Sequence, residues 1–286
     1  MITYLLTGSS GSIGGYICRY LTAENCNVVP LDRDTSNNYI VESPSISGTQ
    51  DIVLLHFGAA TYANSNNNIK FITQNYTQLK TLISTLNSCN IIPRVILASS
   101  TSVYNADNMP DLITENSKLT ESDVYGLSKI NSELLLGTLY DTGLISSYIS
   151  LRLPGVLAPD SWKTSRNFLS LLIHDIAQNS YIKLHSPNAL FNNLIDPYLI
   201  IKFINHLIAQ PELPSIPLNL GGKNAVVVAE LLNHILLKFN FKGTIEWLTI
   251  TPKSFTIDIS LATKYGFMSE TPFETINRFI SSEYNK

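Results

Sequence analysis

The segment Ile2-Thr-Tyr-Leu-Leu-Thr-Gly-Ser-Ser-Gly-Ser-Ile-Gly-Gly15 decides the fold of this chain. It opens with a short apolar run, Ile2–Leu6, which predicts a buried strand. Glycines and serines follow, and apolar residues then recur with the period of a helix to about Glu24. A strand, a glycine-rich turn and a helix in this order begin a βαβ unit, so the first residues already predict a parallel sheet.

The turn carries three glycines, Gly8, Gly11 and Gly14, spaced Gly-x-x-Gly-x-x-Gly rather than the commoner Gly-x-Gly-x-x-Gly. Backbone N–H groups at a helix start, here Ser12 and Ile13 with glycines beside them, suit a pyrophosphate. A tight connection without a ligand is the alternative. Because the turn directly follows an N-terminal strand and opens a helix, nucleotide binding is the favoured interpretation.

The second predicted strand, Val28–Leu31, ends at Asp32, 18 residues after Gly14. An acidic side chain at about this distance binds the ribose 2′-hydroxyl of NAD and repels the 2′-phosphate of NADP. Arg33 comes next, and an arginine in this place accommodates that phosphate. A solvated Asp-Arg-Asp turn is the structural alternative. The expected cofactor is therefore NAD, with NADP left open.

Further apolar runs alternate with helical patterns as far as residue 155. The predicted strands are Asp51–Phe57, Pro93–Ala98 and Ser146–Leu153, with a short one at Tyr39–Val41, and the predicted helices are residues 69–86 and 124–140. Nearly continuous apolar strands are typical of sheets that are covered on both faces. The fold class is therefore α/β, with a Rossmann-type, doubly wound parallel sheet in a first domain of residues 1–155.

The pattern changes in residues 156–286. We predict helices at 167–177, 197–209 and 226–239, short strands at 216–220, 245–249 and 255–257, and a helix capped by Ser260. These elements predict a smaller C-terminal α/β region, with the helix at 196–209 packing back on the first domain.

The pattern Tyr-x-x-x-Lys occurs three times, at Tyr76–Lys80, Tyr125–Lys129 and Tyr198–Lys202. On a helix this spacing puts both side chains on one face, and a nearby cation favours the phenolate, which is the form that acts as a base. The spacing alone is weak evidence. The first and third pairs lie in apolar helical stripes, so packing is the better interpretation for them.

Composition excludes several classes of function. The chain has 286 residues, 44% of them hydrophobic, and a net charge of −3 without a basic stripe, so no nucleic-acid partner is expected. No apolar run reaches the ~18–20 residues that cross a bilayer, and the N-terminus lacks a signal-peptide pattern. Three cysteines without metal-ligand spacing, Cys18, Cys26 and Cys89, predict reduced thiols, a cytoplasmic location and no metal site.

Four segments together resemble one family. Thr7–Gly14, Asp51–Ala60, Ser99–Tyr104 and Tyr125–Lys129 stand in the order and spacing of the extended short-chain dehydrogenases/reductases, and the branch they resemble is the NAD-dependent nucleotide-sugar epimerases and dehydratases. Later landmarks agree, at Leu151–Pro154, Ile195–Pro197 and Leu218–Gly222. The resemblance covers most of the chain.

The resemblance implies roles for individual residues. The expected catalytic residues are Ser100, Tyr125 and Lys129, and Lys129 would also bind the nicotinamide ribose. Ser100 is identified by its place four residues before Tyr104. Asn75 would support the site from its helix. The expected cofactor-binding residues are Gly8, Gly11, Ser12, Ile13, Gly14, Asp32, Arg33, Phe57, Gly58, Ala59, Asn75, Tyr125, Lys129 and Pro154.

The implied reaction is oxidation or reduction at C4 of a nucleotide-sugar substrate bound by residues 156–286. An epimerase that recycles NAD is expected first, and a 4-keto-6-deoxyhexose reductase that consumes NADPH is the alternative. A cofactor-binding regulator without turnover is a further alternative. Dehydratases of the family carry an Asp-Glu pair where this chain has Thr101 and Ser102, so elimination of water is not expected.

Two further expectations concern binding. The family often grips the substrate diphosphate with arginines, but residues 189–195 contain none. The remaining cationic candidates are Arg166, Lys183, Lys253 and Arg278. The resemblance also implies a homodimer formed through the helices at 69–86 and 124–140.

Overall fold

A computed structural model describes residues 2–33, 51–59, 68–104, 110–119, 124–159, 161, 168–248 and 254–284. Numbered along these ranges, the helices are α1 (Ser12–Ala23), α2 (Asn68–Ser88), α3 (Val124–Asp141), α4 (Phe168–Ala177), α5 (Pro197–Ile208), α6 (Val228–Lys238), α7 (Ser260–Lys264) and α8 (Pro272–Tyr284). The strands are β1 (Ile2–Thr7), β2 (Asn27–Leu31), β3 (Asp51–His56), β4 (Arg94–Ser100), β5 (Leu112–Ile113), β6 (Ser147–Leu153), β7 (Gly155–Val156), β8 (Ile182–Leu184), β9 (Leu190–Phe191), β10 (Leu194–Ile195), β11 (Pro217–Asn219), β12 (Val226–Val227), β13 (Ile245–Trp247) and β14 (Thr256–Ile257). A short 3₁₀ turn, Thr101–Val103, follows β4.

Six strands form a central parallel sheet in the order β11-β6-β4-β3-β1-β2. In its middle, Leu5 of β1 pairs with Val29 of β2 on one side and Leu54 of β3 on the other. Later strands are therefore added to the sheet on both sides of β1, which is the doubly wound arrangement predicted from the sequence. In such a sheet the carboxyl ends of the strands share one edge, where ligands bind.

The sheet is buried because its strands are apolar on both faces. Leu5, Leu54 and Val95 are fully buried and belong to a core onto which α2 and α3 pack. The helical stripes contribute Leu79, Leu82, Ile83 and Leu86 from α2 and Leu135, Leu136 and Leu139 from α3. Tyr76 departs from its predicted stripe, since it is 37% exposed on the surface of α2.

The chain divides into two compact units. The first comprises residues 1–105, 118–152 and 204–218, and the second comprises residues 106–117, 153–203 and 219–286. The second unit has its own apolar core, to which α4, α6 and α8 contribute Leu172, Ile235 and Phe279. Among the helices of the described ranges, none has the length and apolar character needed to cross a bilayer.

The starts of two predicted helices differ from expectation. Val226 and Val227 begin no helix, because they pair antiparallel with Phe191 and Leu190. Helix α7 begins at Ser260, but its N-cap is Ile259.

Helix α8 was not predicted, although its capping box was readable in the sequence. Glu274 Oε2 accepts from the Thr271 N–H at 2.7 Å, and Thr271 Oγ1 accepts from the Glu274 N–H at 3.3 Å. The short strand predicted at Tyr39–Val41 lies outside the described residues.

Candidate active site

The glycine-rich turn leaves no room for side chains at two of its positions. Gly8 has φ +77°, and a Cβ there would lie 2.7 Å from the Gly58 nitrogen. A Cβ at Gly14 would lie 2.2 Å from the Gly8 oxygen. Gly11 is the N-cap of α1 and offers no side-chain cap. The turn is therefore a bare backbone cradle at a helix start, which is the form that binds a pyrophosphate.

A buried hydrogen-bond pair joins this turn to β3. Thr7 Oγ1 accepts from the Gly58 N–H at 2.9 Å and lies 3.0 Å from His56 Nδ1. Burial, with the cations of Lys129 and Arg33 adding to it, lowers the pKa of His56 to about 3. The imidazole is therefore neutral, and its Nδ1 shares a hydrogen bond with the Thr7 hydroxyl. The ends of β1 and β3 are thus held together beside the cradle.

Four more of the predicted cofactor contacts lie at the same edge of the sheet. Asp32 is exposed directly after β2, and Phe57, Gly58 and Ala59 follow β3. The tight approach of Gly8 to Gly58 admits no side chain at Gly8, which leaves the backbone there open to a flat dinucleotide. The residues present therefore fit NAD.

Helix α3 carries the candidate catalytic pair. Lys129 is only 5% exposed, its Nζ donates to the Ala98 carbonyl at 2.7 Å, and it lies 5.6 Å from the centroid of the Tyr125 ring. Burial lowers the pKa of the Lys129 ammonium to about 8, while Glu133 acts in the opposite direction. A cation is thus held one helical turn from a half-buried phenol.

Ser100 is the last residue of β4. Its Oγ accepts from the Ser102 N–H at 3.1 Å and lies 3.1 Å from Ser102 Oγ. These bonds cap the 3₁₀ turn Thr101–Val103 and fix the serine side chain at the strand end. Two hydroxyls therefore stand where the ligands of a parallel sheet bind.

Asn75 of α2 is hydrogen-bonded to the start of α3. It is 6% exposed, and its Nδ2 donates to Ser128 Oγ at 3.4 Å. Ser128 Oγ in turn donates to the Tyr125 carbonyl at 2.8 Å. The asparagine thus connects α2 to the helical turn that bears Tyr125.

A buried ion pair beneath these residues was missed in the sequence. Arg152 binds both carboxylate oxygens of Glu133, at 3.1 and 2.7 Å, and also donates to Tyr104 Oη at 2.7 Å. Ser99 Oγ donates to the same carboxylate. Two signals were available: Glu133 extends the Tyr-x-x-x-Lys spacing by one turn, and Arg152 is the charged residue of a largely buried strand.

The other two Tyr-x-x-x-Lys pairs have different surroundings. Lys80 is exposed beside the exposed Tyr76. Lys202 is also exposed, and its partner Tyr198 has the Arg278 guanidinium 4.7 Å from its ring centroid. Lys129 is therefore the buried lysine of the three pairs.

Arg278 and Lys183, two of the candidate diphosphate ligands, are both paired with carboxylates. Arg278 donates to Asp196 at 2.6 Å and to Glu270 at 2.9 and 2.5 Å. Lys183 lies 3.5 Å from Glu246 on the surface. Arg166 and Lys253 lie outside the described residues.

The second unit contains a cavity of about 220 Å³. Its walls are mainly apolar and include Leu172, Phe191 and Leu231. Asn193 also lines the cavity, and its Oδ1 is buried without a hydrogen-bond partner among the described residues. No lysine, arginine or carboxylate is found in the described lining. Pro154, the last of the predicted cofactor contacts, is buried directly before β7 in the same unit.

Comparisons with known proteins agree with this architecture. The family model described as the NAD dependent epimerase/dehydratase family matches residues 4–193. The structure is similar to UDP-glucose 4-epimerase of Thermotoga maritima solved with UDP-glucose, with a TM-score of 0.78, 13% identity and 99% of each chain covered. None of the curated proteins matches the sequence.

Two other solved structures were determined with a nicotinamide cofactor. UDP-glucuronic acid 4-epimerase of Bacillus cereus, in complex with NAD, has a TM-score of 0.76 and 16% identity, with 100% of this chain and 98% of that chain covered. RMD of Pseudomonas aeruginosa, in complex with NADPH, has a TM-score of 0.76 and 15% identity, with 98% and 99% covered. At these identities the likeness shows the fold.

Proposed function

The chain belongs to the NAD dependent epimerase/dehydratase family, and on this basis we propose that it is an NAD-dependent epimerase acting at C4 of a nucleotide-activated sugar. The observation that carries the proposal is the buried Lys129 beside Tyr125, at the strand end that bears Ser100. A buried cation next to a phenol favours the phenolate, so Tyr125 is the group best suited to take a hydroxyl proton.

In this proposal the protein side chains transfer the proton, and the cofactor would accept and return the hydride. NAD, when bound, supplies the acceptor and later the donor of the C4 hydride. Tyr125 takes the proton of the C4 hydroxyl, Ser100 donates a hydrogen bond to the same oxygen, and Lys129 balances the charge on the phenolate. Once the 4-keto sugar has turned its other face, Tyr125 returns the proton and a C4 epimer results.

The proposed cofactor contacts divide along the sheet edge. The backbone of Gly8–Gly14 holds the pyrophosphate, Asp32 accepts from the adenosine ribose hydroxyls, and residues 57–59 line the strand end. Lys129 and Asn75 hold the nicotinamide side, with Pro154 near the ring. Asp32 favours NAD, whereas Arg33 keeps NADP as the alternative of a 4-keto reductase.

We assign residues 156–286 to the substrate and the described cavity to its nucleotide base. Apolar walls suit a flat heterocycle, and the Oδ1 of Asn193, which has no partner in the described part of the chain, suits one N–H donor on its edge. Arg278 is engaged with Asp196 and Glu270, so the diphosphate is not assigned to it. Thr101 and Ser102 carry no carboxyl group, which disfavours a dehydratase.

The test combines cofactor analysis with a matched pair of variants. Mass spectrometry of the purified protein should find tightly bound NAD, and a panel of UDP- and dTDP-sugars should yield a C4 epimer without net NADH. Tyr125→Phe should lose at least about a thousandfold in kcat while keeping its NAD. Tyr76→Phe, from the exposed pair, is the control and should act like wild type.

The other outcomes separate the alternatives. Consumption of added NADPH by a 4-keto sugar nucleotide would identify a reductase instead. NAD binding without turnover of any sugar nucleotide would identify a regulator. Near-normal turnover by Tyr125→Phe would remove Tyr125 from the reaction.

We also propose that the protein forms a homodimer through the helices at 69–86 and 124–140. Leu134 on α3 is 65% exposed and Tyr140 is 41% exposed, so this helix keeps apolar surface for a second copy of α2 and α3. Sedimentation velocity should show a dimer for the wild type and a monomer for Leu134→Glu. A monomeric wild type at micromolar concentration would contradict the proposal.

A further inference from the structure

Successive turns of α3 contact successive residues of the strand that bears Ser100. Lys129 Nζ donates to the carbonyl of Ala98, and Glu133, one turn further, accepts from Ser99 Oγ. Ser100 is the next residue of β4. The position of the Ser100 hydroxyl relative to α3 is therefore set by two adjacent hydrogen bonds from the helix.

The ion pair between Glu133 and Arg152 also reaches the other side of the Ser100 turn. Arg152 NH1 donates to Tyr104 Oη at 2.7 Å, and Tyr104 closes the 3₁₀ turn that Ser100 opens. Ser99 before the turn and Tyr104 after it are thus anchored to one bidentate pair. The side chains of the pair are 10% and 3% exposed, so solvent screens it little.

Glu133 also raises the pKa of Lys129, whereas burial lowers it. The other titratable or charged groups that interact with these two residues are Tyr125 on α3, His56 on β3, and Tyr148 and Arg152 on β6. Tyr104 after β4 accepts from Arg152, and Arg33 after β2 acts on His56. His56 is neutral, and Arg33 and Arg152 are cations. Apart from the Tyr125 phenolate that the reaction uses, Glu133 is therefore the negative charge within this group that keeps the lysine protonated.

We infer that Glu133, clamped by Arg152, is a positioning residue that holds Ser100 in register with Tyr125 and keeps Lys129 cationic. The inference rests on the proposed function, in which these three residues act on the C4 hydroxyl. A structural role alone would affect stability. A positioning role also changes the pH dependence of turnover, because it acts through the charge of Lys129.

The test compares three variants on α3. Glu133→Gln keeps the shape of the side chain and removes its charge, so the pH at which kcat falls on the alkaline side should move down by about one pH unit. Glu133→Asp keeps the charge and should restore the wild-type limb even if kcat is lower. Asp141→Asn removes an exposed charge from the same helix and should leave the profile unchanged.

A second readout does not need turnover. NMR of protein labelled with ¹³C at the lysine ε-carbon reports the Lys129 titration directly, the signal being assigned by its loss in Lys129→Met. The midpoint should be near 8 in the wild type and about one pH unit lower in Glu133→Gln. An unchanged midpoint overturns the charge role. Turnover retained by Tyr125→Phe would instead overturn the proposed function and leave this titration interpretable.

Ser99→Ala tests the register without removing a charge, and it serves if Glu133→Gln does not fold. It should lower kcat by about tenfold or more with little change in KM, because Ser100 loses the anchor next to it. Ser150→Ala is the matched control, since Ser150 is equally buried in β6 but its Oγ has no partner among the described residues. Equal kcat values for the two variants would overturn the register role.

Discussion

The ammonium of Lys129 donates a 2.7 Å hydrogen bond to the carbonyl oxygen of Ala98, although the lysine is only 5% exposed. The bond ties α3 to the C-terminal end of β4. It satisfies one of the three donors of the ammonium but does not neutralise its charge. That charge interacts with Glu133 and is available to the Tyr125 phenol. A buried cation kept in this way should be visible in the stability of the protein.

Comparison with Lys129→Met should show how much the buried ammonium lowers the free energy of unfolding, because this effect depends on pH. Burial lowers the pKa of Lys129 from 10.5 to about 8 in the folded protein. Between these values the folded lysine is neutral while the unfolded one is still charged, so wild-type stability rises with pH there. Relative to Lys129→Met, the free energy of unfolding should increase by up to about 3 kcal/mol from pH 7 to pH 10.5. Urea denaturation at both pH values measures the difference, and a constant difference would contradict the burial of a charged lysine.

Gly14→Ala and Gly137→Ala should have opposite effects. An alanine Cβ at Gly14 would overlap the Gly8 carbonyl oxygen at 2.2 Å, so the turn must move, and NAD affinity should fall by at least about a hundredfold. At Gly137, inside α3, the new Cβ would meet only Tyr148 Oη at an ordinary 3.6 Å. Gly137→Ala should raise the free energy of unfolding by about 0.5–1 kcal/mol. Isothermal titration with NAD and thermal unfolding check the pair.

Tyr284→Phe and Tyr104→Phe should also differ in sign. Tyr284 Oη is buried without a hydrogen-bond partner among the described residues, whereas Tyr104 Oη accepts from Arg152. Removing the first hydroxyl should stabilise the protein by about 1 kcal/mol, and removing the second should cost about 1–3 kcal/mol. Chemical denaturation at pH 7 measures both changes.

The Tyr284 phenol should also make stability fall at alkaline pH. Burial, with help from Glu283 and Asp175, raises the pKa of Tyr284 to about 12. Its phenol form is then favoured in the folded state, and wild-type stability is lost as pH rises from about 10 to about 12. Tyr284→Phe should lose less stability over this range than the wild type. An identical decline in both proteins would show that another group is responsible.

Arg94→Lys should be among the most destabilising single changes in the first unit. Arg94 binds both oxygens of Asp51, at 3.1 and 2.6 Å, and donates to the carbonyls of Ile208 and Gln210 at 3.1 and 3.0 Å. A lysine cannot reproduce this planar set of donors, so about 2–4 kcal/mol should be lost. Lys183→Ala, in an exposed pair with Glu246, is the control and should change stability by less than about 0.5 kcal/mol. Comparable losses would contradict the role assigned to burial.

Much of the fold was determined by local sequence pattern. Strand and helix periods are properties of neighbouring residues, so the strand–turn–helix of Ile2–Ala23 and the stripes of α2 and α3 were predicted from the sequence. The spacing of Tyr125 and Lys129 on one helical face follows from the same geometry. Tyr76 shows the limit of this reasoning, because period alone does not say which edge of a stripe meets solvent.

Only the tertiary structure decided what surrounds those residues. The Thr7–His56 pair spans 49 positions of the chain, Arg152–Glu133 spans 19, and Lys129–Ala98 spans 31. Such contacts depend on strand order and register, which bring together residues that no local period relates. Burial then changes the chemistry, because it lowers the pKa of a lysine and makes an unpaired carboxylate unfavourable. The sequence alone determined which side chains share an edge of the sheet, and the packing determined their charges and partners.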